Sequence, residues 1–123
     1  MAESNDWGKT GERLAMEFLV TQGYTIRETG FRTGPKKKIE IDIIAQKGNE
    51  ISFVEVKTRS SEEVDPVEAV DRDKRRRMVR AADIYLSSLG HTFDWTFDII
   101  AVTGNPENYR LDYLHDAFFP ELS

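Results

Sequence analysis

Hydrophobic and polar positions alternate along the chain with two different periods, which separate predicted helices from predicted strands. Apolar residues recur at helical spacing over residues 7–22 and predict a first helix. A short strand is expected to follow from Tyr24. Residues 39–46 and 51–58 alternate with a period of two, as half-buried strands do, and the turn 47–50 joins them into a hairpin.

A second helix and two more strands are predicted in the rest of the chain. Asp65 is a suitable N-cap before Pro66, and the helix is expected to continue to about Leu89. Residues 95–102 and 109–114 predict two further strands. The order α-β-β-β-α-β-β favours an α/β fold with a central mixed β-sheet flanked by helices. No repeat or linker interrupts the 123 residues, so we expect a single domain.

The composition excludes several classes of protein. The chain has no cysteine, which excludes a disulfide-stapled fold, an iron–sulfur protein, a cysteine-ligated zinc site and a thiol nucleophile. No apolar run approaches the ~20 residues of a membrane span, and the acidic N-terminus does not resemble a signal peptide. We therefore expect a soluble cytoplasmic domain with no membrane partner and no small-molecule cofactor.

The formal net charge is −5, but the basic residues are clustered. Residues 91–123 carry six acids and one base, so residues 1–90 are neutral overall. One interpretation is that the bases make a directed contact with an anion, and the other is that they are ordinary solvated faces. The two clusters are Arg32, Lys36, Lys37 and Lys38, and then Arg72, Lys74, Arg75, Arg76, Arg77 and Arg80.

The predicted hairpin brings carboxylates together. With a two- or four-residue loop, the numbers of facing residues add up to 97, so Asp42 faces Glu55 and Glu40 faces Lys57. This register places those four side chains on one face. Ile41, Ile43, Val54 and Val56 then lie on the other face. Two ionised carboxylates ~5 Å apart repel each other by about 3 kcal/mol at an effective dielectric near 20.

Such a pair needs compensation, and three kinds are available. They are a shared proton, a nearby base such as Lys57, and a divalent cation. Carboxylate oxygens without histidine or cysteine suit Mg²⁺ or Mn²⁺, which would polarise a phosphodiester while Lys57 stabilises charge or orients water. The alternative is a charged patch on an exposed face of the sheet, without catalytic meaning.

The chain up to about residue 102 closely resembles the bacterial UPF0102 (YraN-like) family. The resemblance implies a restriction-endonuclease-like fold of the PD-(D/E)xK superfamily, related to archaeal Holliday junction resolvases. It also implies a metal-dependent endonuclease acting on DNA, including branched DNA, as a homodimer. The resemblance is carried by Gly8-x-x-Gly11-Glu12-x-x-Ala15-x-x-Phe18-Leu19-x-x-x-Gly23-Tyr24, Glu40-Ile41-Asp42-Ile43-Ile44-Ala45, Phe53-Val54-Glu55-Val56-Lys57-Thr58-Arg59 and Glu68-Ala69-Val70-Asp71-x-x-Lys74.

The resemblance implies a role for each matching residue. Asp42 and Glu55 become the metal ligands and Lys57 the catalytic lysine. Glu12 and Glu40 become accessory acids, although Glu12 could equally be a first-turn acid that stabilises its helix, and Glu40 could form an ion pair with Lys57. The residues expected to bind nucleic acid are Lys36, Lys37, Lys38, Arg59, Lys74, Arg75 and Arg76.

Two positions depart from the family pattern. Ile39 stands where the family usually has glycine, and Thr96 where it usually has arginine. The missing arginine and the overall negative charge favour a second hypothesis, a non-catalytic module that keeps the nuclease fold and binds nucleic acid or protein. The retained Asp42, Glu55 and Lys57 favour the enzyme.

Overall fold

A computed structural model describes residues 3–61 and 65–120. No helix within those two ranges is both long and apolar enough to span a membrane. The helices and strands, in chain order, are α1 Glu3–Thr21, β1 Thr25–Thr33, β2 Lys38–Lys47, β3 Glu50–Arg59, α2 Pro66–Ala69, α3 Arg72–Ser87, β4 Asp94–Asn105 and β5 Asn108–Phe118.

The five strands form one mixed sheet in the order β1-β2-β3-β4-β5. The pair β3–β4 is parallel, and the other three pairs are antiparallel. Helix α1 covers one face of the sheet, where the α1-side core includes Leu19, Val54 and Ile100. Helices α2 and α3 cover the other face, where the α3-side core includes Phe53, Met78 and Phe97. This confirms the predicted α/β fold with a mixed sheet flanked by helices.

The hairpin of β2 and β3 has the predicted register. The paired residues run from Ile43 with Val54 to Lys47 with Glu50, and each pair of numbers adds up to 97. Ile43, Val54 and Val56 lie in the α1-side core as expected, but Ile41 packs in the α3-side core. The prediction for Ile41 is therefore wrong. Beside it, the pairing with β1 shifts by one residue at Glu40, and such a bulge bends and twists a strand.

The long helix expected from Pro66 to Leu89 is divided into two. Helix α2 ends at Val70, which has extended backbone angles (φ −94°, ψ 95°), and the new helix α3 begins after Asp71. The Asp71 carboxylate accepts a hydrogen bond from Lys74 N at 2.8 Å, as an N-cap does. The apolar periodicity continues across this break, so it does not reveal that Asp71 caps a new helix.

Candidate functional site

Strands β2 and β3 separate at Asp42 and Glu55. Their pairing ends at Ile43 and Val54, while β3 stays paired with β4 up to Arg59. Beyond the last pair, Val56 N donates a hydrogen bond to Asp42 Oδ2 at 2.9 Å. A carboxylate thus replaces the strand carbonyl that this N–H would otherwise meet. We call this point, with Asp42, Glu55 and Val56, the fork.

Glu55 is buried at the fork between two lysines. Its side chain is 7% exposed. Lys57 Nζ lies 3.6 Å from Glu55 Oε2, and Lys74 Nζ lies 3.6 Å from Glu55 Oε1. Lys74 Nζ also donates to Ile39 O at 3.5 Å. Strand β3 supplies one lysine and helix α3 the other, so the helix completes the surroundings of the carboxylate.

The two carboxyl groups at the fork influence each other strongly. Burial is the largest cause that raises the pKa of Glu55, followed by the negative charge of Asp42, and the result is about 7. A hydrogen bond with Asp42 also raises this pKa, while Lys74 and Lys57 lower it. Two lysines therefore do not offset burial and the second acid, and the fork favours a proton or another cation between its carboxyl groups.

Helix α1 brings a third acid near the fork. Partial burial and then the charge of Asp42 raise the pKa of Glu12, which remains an exposed side chain. The preceding residue, Gly11, packs so tightly on β3 that an added Cβ would lie 1.9 Å from Thr58 Cγ2. The absence of a side chain at Gly11 lets α1 approach the strand that carries Glu55 and Lys57.

The oxygen donors at the fork fit a hard divalent cation. Within the described residues, Glu55 Oε1 is buried without a hydrogen-bond partner, and the neighbouring group that could ligate a cation is the Asp42 carboxylate. Mg²⁺ commonly binds through one or two carboxylates and keeps several waters. Within residues 3–61 and 65–120, no three histidine, aspartate or glutamate side chains are grouped so as to hold a metal ion. Glu12 is therefore a neighbour of the carboxylate pair and not a third ligand in this arrangement.

Glu40 does not have the predicted partner. It was expected to face Lys57, but the strand pairing ends before it, and Lys57 contacts Glu55 instead. The buried Glu40 carboxylate pairs with Arg77 Nε of α3 at 3.2 Å. Sequence reasoning did not assign Arg77 to the site. Its position three residues after Lys74, on the same side of a helix, was the available signal.

The expected nucleic-acid-binding residues divide into three groups. The side chains of Arg59 and Arg75 are occupied by the fold: Arg59 Nε donates to Thr103 Oγ1 at 3.0 Å, and Arg75 donates to Val70 O and Val67 O, each at 2.8 Å. Lys74 lies beside Glu55 at the fork. The others are exposed, and they are Lys36, Lys37 and Lys38 near the β1–β2 turn and Arg76 on α3.

The two residues that depart from the family pattern, Thr96 and Ile39, do not place their side chains at the carboxylates of the fork. Thr96 is buried, and its Oγ1 lies 3.3 Å from Ser52 Oγ. Because side chains alternate along β3, Ser52 and Glu55 point to opposite faces of the sheet. Ile39 is 44% exposed at the start of β2, and its contact with Lys74 uses only the backbone carbonyl.

Comparisons with known proteins agree on one group. A sequence model described as "Uncharacterised protein family UPF0102" matches residues 11–102. A UPF0102 protein of Bacteroides thetaiotaomicron is 46% identical over 123 residues, covering 99% of each chain. A second, from Flavobacterium psychrophilum, is 43% identical and covers 97% of this chain and 98% of its own. A third, from Alkaliphilus metalliredigens, is 41% identical and covers 94% and 99%.

Proposed function

We propose that this chain, which belongs to the uncharacterised protein family UPF0102, is an endonuclease. The name of the family states no activity, so the proposal rests on the geometry of the fork. The enzyme would hydrolyse DNA phosphodiester bonds with Mg²⁺ or Mn²⁺. The observation that carries the proposal is the pairing of Asp42 with the buried Glu55, with Lys57 Nζ 3.6 Å from Glu55. We also propose that the fold is restriction-endonuclease-like, of the PD-(D/E)xK superfamily and related to archaeal resolvases.

Each residue at the fork has a separate task in this proposal. Asp42 and Glu55 would hold the cation, which when bound supplies Lewis-acid charge beside the scissile phosphate. Lys57 would stabilise the negative charge that develops on the phosphoryl oxygens or orient the attacking water. Lys74 keeps the Glu55 carboxylate in place from α3, since it also anchors to Ile39 O. Arg77 holds Glu40 beside this group.

The substrate and the assembly follow from the same proposal. One fork cuts one strand, so cleavage of both strands of a duplex or a four-way junction would need two copies of the chain. A symmetric homodimer on branched DNA is therefore the assembly we propose. The exposed Lys36, Lys37 and Lys38 would contact the phosphate backbone.

A second candidate function is favoured by the ion pairs themselves. Glu55 already has two lysines at 3.6 Å, and Asp42 already accepts the Val56 N–H, so both acids have structural partners without a metal. The protein would then be a non-catalytic module that binds nucleic acid or protein. Its net charge of −5 suits a limited contact better than a broad coat on DNA.

A cleavage assay separates the two functions. Labelled four-way junction, flap, duplex, single strand and RNA are incubated with the protein in Mg²⁺ or Mn²⁺. We expect metal-dependent cutting of DNA, and a loss of about 100-fold or more in Glu55→Gln and in Lys57→Ala. Glu107→Gln and Lys47→Ala remove the same kinds of charge from exposed positions, in the β4–β5 turn and at the end of the hairpin far from the fork, and should cut as the wild type does.

Two results would count against the endonuclease. The first is no cleavage of any substrate by folded wild-type protein in either metal. The second is equal cleavage by the wild type and both fork variants, which would place the activity elsewhere or in a contaminant. If only RNA is cut, the fork stays catalytic but DNA is the wrong substrate.

A further inference from the structure

The basic residues of α3 face two different ways. Lys74 and Arg77 point toward the carboxylates of Glu55 and Glu40. Arg76 and Arg80 lie on the opposite flank, where within the described parts of the chain neither has a hydrogen bond or an ion pair. Like charges four residues apart destabilise a helix by a few tenths of a kcal/mol. This second flank is therefore a basic surface that the fork does not explain.

A groove of about 470 Å³ runs along this flank of α3. We call it the α3 groove. Its floor includes Val79 and Phe97, and its rim carries Arg76, Arg80 and two exposed aromatic residues. Trp95 is 42% exposed and Phe119 is 72% exposed. The groove is thus concave and apolar inside, with positive charge along one rim.

Trp95 extends this surface into a second depression. The indole and Leu86 line both the α3 groove and a more open hollow beside it, whose other walls include Leu89 and Phe93. The Trp95 ring packs on Phe97 with centroids 5.6 Å apart, so it has a rigid support. A half-exposed aromatic ring between two adjoining depressions suits a flat ligand that continues in both directions.

The chemistry of this surface fits unpaired nucleotides. Single-stranded nucleic acid is bound by grooves that combine basic side chains along the backbone with aromatic rings on which bases stack. Arg76 and Arg80 provide the charge, and Trp95 and Phe119 provide the rings. Paired bases inside a duplex expose only their edges and could not stack on Trp95. Among the residues that the structure describes, Asp83 is the one acid on the lining, where it is outnumbered by arginines, so this surface attracts anions.

We propose that the α3 groove binds single-stranded DNA, with an unpaired base on Trp95 and phosphates on Arg76 and Arg80. This inference rests on the proposed action on DNA and deepens it, because it names the substrate class as DNA with an unpaired segment. Flaps and single strands offer such a segment, and intact duplex and the paired arms of a four-way junction do not. The groove and the fork lie on opposite flanks of α3, so one strand could be held while a neighbouring position is cut.

Binding is measured with EDTA present, so that cleavage does not interfere. The probes are a labelled 16-nucleotide oligo(dT), an abasic oligonucleotide of the same length and a duplex of the same length. Fluorescence anisotropy gives the affinity, and quenching of the protein's own tryptophan emission reports stacking. We expect oligo(dT) to bind more tightly than the abasic strand or the duplex, and to quench the emission. Trp95→Ala should weaken the binding of oligo(dT) about tenfold.

Matched variants separate the groove from general charge effects. Trp95→Phe keeps a ring and should recover part of the affinity, while losing the quenching. Arg76→Ala should weaken oligo(dT) and the abasic strand alike. Arg13→Ala removes an arginine that pairs with Glu17 on α1 and should leave binding unchanged. Circular dichroism of each variant confirms that it is folded before its affinity is compared.

The outcomes keep this proposal distinct from the nuclease. Glu107→Gln, which lies outside both the fork and the groove, should bind oligo(dT) as the wild type does. If the wild type cleaves DNA but Trp95→Ala binds oligo(dT) normally, the groove proposal is wrong and the nuclease stands. If no cleavage is found but Trp95→Ala weakens the binding of oligo(dT), the groove proposal stands and the nuclease proposal does not. If an acidic peptide displaces labelled oligo(dT) at a lower concentration than unlabelled oligo(dT) does, the groove proposal is wrong and the groove binds a protein partner.

Discussion

At the scale of single residues, the arrangement around Glu55 lowers the stability of the fold. A carboxylate that is buried next to a second carboxylate is unfavourable even with two lysines 3.6 Å away. The pKa of Glu55 therefore rises to about 7 from an ordinary value of 4.5. A stable fold has no need of such a pair. Two adjacent carboxylates of this kind are typical of a site that binds a cation, as we propose for the fork.

Glu55→Gln should therefore stabilise the protein when divalent metal is absent. Above pH 7 the ionised Glu55 lowers the free energy of unfolding, by an upper limit of roughly 3 kcal/mol, since each pKa unit is worth about 1.4 kcal/mol. Below about pH 4.5 Glu55 is protonated in both states and this difference disappears. Urea unfolding at pH 8 and at pH 4.5 checks both statements, with Glu107→Gln as the control.

Added Mg²⁺ or Mn²⁺ should make the wild type more stable than Glu55→Gln at pH 8. A cation that binds the folded state alone raises its stability, so the wild type should gain and Glu55→Gln should gain less. A wild type whose Tm is unaffected by millimolar metal would argue against the fork as a metal site. A Glu55→Gln variant that is less stable than the wild type without metal would show that the ion pairs outweigh the burial.

At the scale of elements, the contact between α1 and β3 decides whether Glu12 lies near the fork. Gly11 approaches Thr58 so closely that a Cβ cannot fit beside Thr58 Cγ2. Thr58 directly follows Lys57 on β3, and Glu12 directly follows Gly11 on α1. Helix α1, which carries Glu12, therefore packs tightly on β3, which carries Lys57, because Gly11 has no side chain at the contact.

Gly11→Ala should be destabilising by about 1–3 kcal/mol, the usual range for forcing an extra carbon into a packed contact. Gly8→Ala is the matched control on the same helix. Its Cβ would meet only Thr58 Oγ1 at 3.8 Å, an ordinary contact. It should therefore be neutral or stabilising by a few tenths of a kcal/mol to about 1 kcal/mol, because alanine favours helices. Urea unfolding measures both variants.

Removing the clashing methyl tests the cause of this effect. Thr58→Ser lacks Cγ2, so adding it to Gly11→Ala should recover much of the lost stability. If the double variant is as unstable as the sum of the two single changes, the contact with Thr58 is not the reason.

At the scale of the whole molecule, a polar network joins three strands on the face covered by α1. Asp98 of β4 is fully buried and accepts hydrogen bonds from Tyr113 OH at 2.6 Å and from Asp116 N at 2.9 Å. His115 Nδ1 lies 3.0 Å from Asp98 Oδ2, and its Nε2 lies 3.2 Å from Glu50 Oε1 of β3. The pairing of β4 with β5 is irregular at Asp98, between Phe97 and Ile99, and this one buried acid holds the two strands together there.

This network should make the stability of the whole domain depend on pH. Burial alone would lower the pKa of His115, but its hydrogen bond and charge interaction with Asp98, and then Glu50, raise it. The stabilising contribution is therefore complete below the ordinary value near 6.5, and it is lost as the pH rises through the higher value of the folded state. The wild type should lose more stability between pH 6 and pH 9 than His115→Gln does.

Chemical unfolding of both proteins at each pH gives this difference directly. Because Glu55 is present in both, its own titration cancels in the comparison. Equal slopes for the two proteins would mean that the pKa of His115 is the same in the folded and unfolded states, and that the network depends on Asp98 with Tyr113 and the backbone alone.

The local pattern of the sequence determined the order of the elements, the mixed α/β architecture and the register of the hairpin. Those properties follow from residues close together in the chain: period-two alternation in β2 and β3, and a loop length that fixes which residues face each other. The adjacency of Asp42 and Glu55 was therefore predictable, and the structure confirms it. The bulge at Glu40 and the N-cap at Asp71 were not, since neither interrupts the apolar pattern.

Tertiary packing decided which distant side chains meet at the fork. Lys74 and Arg77 come from α3 and Glu12 from α1, and their approach depends on how the helices sit on the two faces of the sheet. Packing also occupied Arg59 and Arg75 with partners inside the fold and left Trp95 exposed beside Arg76. Periodicity records which face of an element is apolar. It carries no information on the partner of a charged side chain, because that depends on contacts between residues far apart in the chain.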